Sequence, residues 1–75
     1  MKVYPARRVY AFEGADVIEI FDNKEAAIKY AELKNKESGF SVIIEKSGYW
    51  SSAVCGQDYY DYVEYDLLSE YNPED

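Results

Sequence analysis

The sequence contains no histidine and a single cysteine. Without histidine, the side chain most often used as general base, metal ligand and pH switch near neutrality is missing. A lone Cys55 excludes an intramolecular disulfide, whereas secreted domains of this size usually carry several, so a reducing, cytoplasmic setting is expected. No apolar run approaches the roughly 20 residues that cross a bilayer. The N-terminal stretch Met1 to Arg8 is basic, but no apolar segment follows it to make a secretory signal. Gly14, Gly39, Gly48 and Gly56 are isolated, so they punctuate turns rather than build a phosphate loop. Two arginines, Arg7 and Arg8, are too few for a nucleic-acid patch.

Basic residues are also missing from one part of the chain. Residues 1–46 hold all eight lysines and arginines together with eight acids, and are therefore neutral. Residues 47–75 hold seven acids and no base, so the net charge of −7 arises entirely there. Such a surface disfavours nucleic acid and anionic membranes and suits a basic protein surface. At 75 residues, with 48% hydrophobic and 31% charged side chains, the chain fits one globular domain. A chain this short buries only about 60% of its unfolded surface, which leaves a narrow stability margin.

Residues 7–13 alternate as a strand, Glu13-Gly14-Ala15-Asp16 reads as a turn, and Val17 to Phe21 reads as a second strand with Ile18 and Ile20 toward the core. A helix is expected over 23–36. Asp22 is its N-cap, Glu25 completes a capping box, and Phe21 packs on Ala26. Ala27, Tyr30, Ala31 and Leu33 form its apolar face, and Glu25–Lys29 and Glu32–Lys36 pair along the solvated stripe. Ser38-Gly39 ends it. Residues 40–45 and 49–55 read as two further strands, the second with Trp50, Ser52 and Val54 on one face. Tyr59 to Leu68 reads as a last strand. The competing reading is a helix capped by Asp58, with Tyr60, Val63, Leu67 and Tyr71 as its stripe. The expected fold is α+β, with β-β-α-β-β-β order. One helix packs on one face of an antiparallel sheet of four or five strands, and the domain covers 1–71 with a frayed tail at 72–75.

Catalytic and metal signals are weak, and no cofactor is expected. Cys55 lies in the apolar run Ala53-Val54-Cys55 with no base or cation beside it, and reads as a small buried hydrophobe. Asp58, Asp61, Glu64 and Asp66 lack the spacing and bend glycine of a calcium loop. The remaining signal is the mixture of tyrosine and acid at 58–66. Tyrosine offers large contacts, a hydroxyl and little entropy loss, and carboxylates steer partners. The candidate partner-binding residues are therefore Asp58, Tyr59, Asp61, Tyr62, Glu64, Tyr65 and Asp66. The alternative is that half of these tyrosines pack in the core and the acids serve solubility.

The stretch Arg8-Val9-Tyr10 through Val17-Ile18-Glu19-Ile20-Phe21-Asp22-Asn23-Lys24-Glu25-Ala26-Ala27-Ile28-Lys29-Tyr30-Ala31 resembles small acidic ββα-type proteins of bacteriophages and bacteria. The resemblance covers about the first half and transfers no catalytic residue. It implies a non-enzymatic inhibitor of a host nucleic-acid-handling or defence protein, active in the host cytoplasm, in one form by mimicry of DNA. The other expectation is a self-associating structural homodimer.

Overall fold

The computed structural model describes residues 1–67. It shows an α+β fold: β1 (Lys2–Tyr10), β2 (Gly14–Phe21), α1 (Lys24–Ser38), β3 (Val42–Ile44), β4 (Trp50–Ser52), β5 (Tyr59–Tyr62) and β6 (Tyr65–Asp66). The strands form an antiparallel sheet in the order β2-β1-β5, with β6 also on β1, and a separate β3–β4 hairpin. The single sheet expected from sequence is thus divided in two. Of the last segment, 59–62 and 65–66 are strand, as favoured; Leu68, Tyr71 and the expected tail at 72–75 lie outside the described residues.

The first strand begins five residues earlier than the alternation suggested and runs through Pro5. A proline in a strand with neighbours on both sides deletes a ladder hydrogen bond, and the cost is visible. Ala6 pairs with Tyr62 and Lys2 with Asp66 in one unbroken register. The Val63 N–H donates to the Pro5 carbonyl at 3.0 Å, but Pro5 has no N–H to return. β5 and β6 are therefore one strand interrupted opposite Pro5.

The β1–β2 turn lies earlier than expected, at 11–13, with Phe12 itself at φ 64 and Gly14 at φ 91 already in β2. Ile18 and Ile20 do not enter the core: they are 37% and 62% exposed. The reason is a bulge. Ala6 pairs with Glu19 but Arg7 pairs with Val17, leaving Ile18 as the extra residue. Ile20 then falls opposite Pro5, on the face away from the helix.

The helix is capped one residue later than expected. Asn23, with extended backbone at φ −136, accepts the Ala26 N–H on its side-chain oxygen at 3.1 Å. Asn and Asp cap equally well, and here the cap position follows the end of β2. Phe21 packs on Tyr30, centroids 5.4 Å apart. Gly39 at φ 72 closes the C-terminus by donating to Lys36. Neither expected Glu–Lys pair closes on the helix; Lys34 and Glu37 approach to 3.9 Å instead.

The buried face of α1 is Ala27, Ala31 and Asn35, with Leu33 half exposed. Two alanines allow a close approach to the sheet, where Ala6 is fully buried. The core beyond them is Trp50 and Tyr60, flanked by Ile28, Phe40, Val42, Tyr59 and Tyr62. Asn35 completes it with polar chemistry. Its Oδ1 accepts the Tyr60 N–H at 2.7 Å and its Nδ2 donates to the Tyr60 carbonyl at 2.9 Å. One side chain thus takes the place of a neighbouring strand on the outer edge of β5. Asn35→Ala is expected to cost about 2–4 kcal/mol, because it orphans two buried backbone groups. Glu32→Ala on the exposed face should stay within about 0.5 kcal/mol. Urea denaturation monitored by tryptophan fluorescence measures both.

Candidate functional site

The acids of 58–66 do not form a free negative patch. Each is held by a cation of β1. Arg7 donates Nε and Nη2 to the two oxygens of Asp61 at 2.9 and 2.7 Å, a bidentate pair whose carboxylate side is 8% exposed. Arg8 donates to Asp58 at 3.1 Å, and the other Asp58 oxygen accepts the Ala11 N–H at 3.0 Å, tying the end of β1 to the start of β5. Lys2 bridges Glu64 at 3.1 Å and Asp66 at 3.0 Å. Three cations from one end of the chain offset four carboxylates from the other, because the antiparallel register sets Arg7 against Asp61 and Lys2 against Asp66.

Arg8 is the cation set among aromatic rings. Its guanidinium lies 5.4 Å from the Phe40 and Tyr60 ring centroids and 5.5 Å from Tyr10, and it donates to the Tyr60 hydroxyl at 3.1 Å. Three ring faces compensate a buried Nε that has no hydrogen-bond partner.

The tyrosines occupy the two faces of β5 in alternation. Tyr60 stacks on Phe40 beneath the helix, and Tyr62 meets Trp50 edge-on, centroids 5.9 Å apart. Tyr59 and Asp61 lie on the opposite face. A cleft of about 670 Å³ runs along the outer edge of this strand, between it and the β3–β4 turn. It gathers five of the seven expected residues, Tyr59, Asp61, Tyr62, Glu64 and Tyr65, and leaves out Asp58 and Asp66. Tyr49, Trp50, Arg7 and Lys24 also line it. Tyr49 and Tyr65 are the exposed rings, at 75% and 58%. The contribution of Tyr49 and Trp50 escaped the sequence reading; their position beside Gly48, at the tip of a short hairpin, was the available signal.

Cys55 is exposed, not buried. β4 stops at Ser52, whose hydroxyl engages both the Val54 carbonyl and the Val54 N–H, so Ala53 to Gly56 curl out of the strand instead of extending it. Val54 is half exposed for the same reason. Among the described residues no group of three His, Cys, Asp or Glu is placed to hold a metal ion, and no helix is long and apolar enough to cross a membrane.

No protein-family model matches the chain, and no curated protein or solved structure matches it at a significant level. The structure defines the class as a small α+β protein with a tyrosine-rich cleft at a sheet edge.

Two stability predictions follow from the ion pairs. Arg7→Ala leaves a carboxylate buried without its partner, a change that costs about 3 kcal/mol or more. Asp61→Asn leaves a guanidinium that is 30% exposed and can reach water, so it should cost distinctly less. Equal losses in urea denaturation would show that the pair is not the asymmetric device its burial implies.

The pH dependence is set by the carboxyls at the two ends of β1. Asp58 is held below the ordinary carboxylate range by the Ala11 N–H and then by Arg8, and Asp66 is held below it by Lys2. A carboxyl depressed in the folded state stabilises the fold above its unfolded pKa, about 3.9, and that stability is lost as pH falls through the folded value. Stability should be flat from pH 7 to about 5 and fall below about 4. Asp58→Asn should shrink that acid-side loss, as measured by denaturation midpoints across the range.

Proposed function

We propose that this is a non-enzymatic interaction protein that binds a basic surface of another protein and blocks it, in the manner of a phage-type inhibitor of a nucleic-acid-handling or defence protein. The observation that carries this reading is the cleft. Aromatic side chains from two separate segments converge on it, exposed Tyr49 and Tyr65 at its rim and half-buried Tyr59 and Tyr62 deeper. Large rings that lose few rotamers on contact are the usual anchors of protein interfaces. The net charge of −7 supplies attraction to a basic partner.

The DNA-mimic branch has less behind it. Phosphate imitation needs carboxylates that face solvent unpaired, and Asp58, Asp61, Glu64 and Asp66 are all engaged by Lys2, Arg7 or Arg8. A self-associating homodimer is the second reading. It is favoured by the sheet face turned away from the helix, which exposes Val17, Ile20 and Tyr65.

The test is capture of a partner from the native host cells, followed by binding kinetics with purified components. Tyr49→Ala and Tyr65→Ala should each speed dissociation by an amount worth about 1–3 kcal/mol, while raised salt slows association. Unchanged dissociation in both variants would remove the cleft from the interface. Failure to capture anything, together with concentration-dependent dimerisation that salt does not weaken, would favour the second reading.

A further inference from the structure

The three-stranded part of the sheet has an open edge. β2 is terminal in the order β2-β1-β5, and no strand among the described residues pairs with its outer side. All its residues from Gly14 to Ile20 are exposed. Long edge strands are commonly blunted by lysine, proline, a bulge, inward-pointing charges or a covering loop. β2 contains neither lysine nor proline, and its one bulge and two carboxylates still leave Ala15, Val17 and Ile20 opposite the β1 residues that do not bond to it.

What β2 has instead is a sorting of its side chains. The bulge sets Asp16 opposite Arg8 and Glu19 opposite Ala6. Those two β1 residues are two apart and point to the same side of the sheet, so Asp16 and Glu19 do as well. Three apart in a regular strand, they would point to opposite faces. Ala15, Val17 and Ile20 sit opposite Val9, Arg7 and Pro5, on the other side. The edge therefore carries carboxylates along one flank and an apolar row along the other, with Val17 and Ile20 54% and 62% exposed. Neither carboxylate forms an ion pair among the described residues.

The backbone follows the same division. The Val63 N–H bonds to the Pro5 carbonyl, so β1 turns its odd-numbered residues toward β5 and β6 and its even-numbered ones toward β2. Asp16 and Glu19, opposite even-numbered residues, spend their backbone groups on β1. Ala15, Val17 and Ile20 turn theirs outward.

We propose that the outer edge of β2 is a docking site for an extended segment of another protein that alternates apolar and basic side chains, added to the sheet as a further strand. Segment residues that bond to Ala15, Val17 and Ile20 lie on the apolar flank. The residues between them lie beside Asp16 and Glu19, where lysine or arginine completes cross-strand ion pairs. A second copy is a poor occupant: antiparallel pairing that sets Asp16 of one copy against Glu19 of the other opposes like charges twice. The inference shares with the proposed function only the basic partner. It makes no use of the cleft, and either can fail alone.

The test titrates a blocked peptide of about eight residues, alternating lysine and valine, into the isotope-labelled protein and follows the amide resonances. Saturable shifts concentrated at residues 14–21 are expected. Methylating the peptide's alternate backbone nitrogens should abolish them, since an added strand needs those donors. Asp16→Asn with Glu19→Gln, both at exposed positions, should weaken binding roughly tenfold or more. Equal affinity for a peptide with the lysines and valines in two blocks would mean that only charge is sensed, and overturns the proposal. Shifts centred on Tyr49, Trp50 and Tyr65 with β2 unmoved overturn it too, and leave the cleft as the interface. Dimerisation through β2, shown by sedimentation with the same amides perturbed, assigns the edge to a second copy and also overturns it.

Discussion

The cross-strand ladder between β1 and the final strand joins residues 50–64 positions apart in sequence, and most of the structure is placed by it. Arg7–Asp61, Arg8–Asp58 and Lys2–Asp66 are each the consequence of one antiparallel register. That register fixes which face of β5 carries Tyr60 and Tyr62 and so which rings reach the helix, Phe40 and Trp50. It also spends the carboxylates of 58–66 on internal partners. An ion pair near the surface contributes little to stability, but a buried bidentate one penalises any register that separates its members. Arg7 and Asp61 therefore specify the pairing more than they strengthen it.

The apolar core is small. Among the described residues its fully buried members are the alanines Ala6, Ala27 and Ala31, and no large side chain is wholly removed from water. Close helix–sheet approach through small residues and the double hydrogen bond of Asn35 stand in for bulk. The Asn35 contacts also explain why part of the β5 edge is closed to partners while its continuation past Tyr62 borders an open cleft.

Local signals in the sequence are legible where neighbouring residues decide the outcome. The helix, its glycine stop, the hairpin before it and the strand at 59–66 all rest on short-range chemistry. Such signals mislead where distant residues decide. Ile18 and Ile20 alternate as a core-facing pair, but a bulge set by the register with β1 turns Ile20 outward. Pro5 argues against a strand until its partner is seen to break at the same point. Asn35 looks like a polar helix residue until Tyr60 arrives at its side. The charge segregation is real along the chain and is largely cancelled across the 58–66 segment, because Lys2, Arg7 and Arg8 pair with its carboxylates. Five of the seven expected site residues share a cleft because alternation along one strand was legible, whereas the approach of Tyr49 and Trp50 was not.

The position of β1 between an early and a late neighbour has a consequence for how the protein is made. β2 follows β1 within a few residues and can pair with it as soon as both have emerged from the ribosome. The other flank of β1 must wait until residue 66 is synthesised. Until then Arg7 and Arg8 are uncompensated cations on a hairpin whose second edge is bare, and chains translated in succession from one message would present these edges to one another. Contacts of such long sequence separation also form slowly, and unpaired edges are where nascent chains associate wrongly. Slow translation through codons 47–66 would lengthen that exposure.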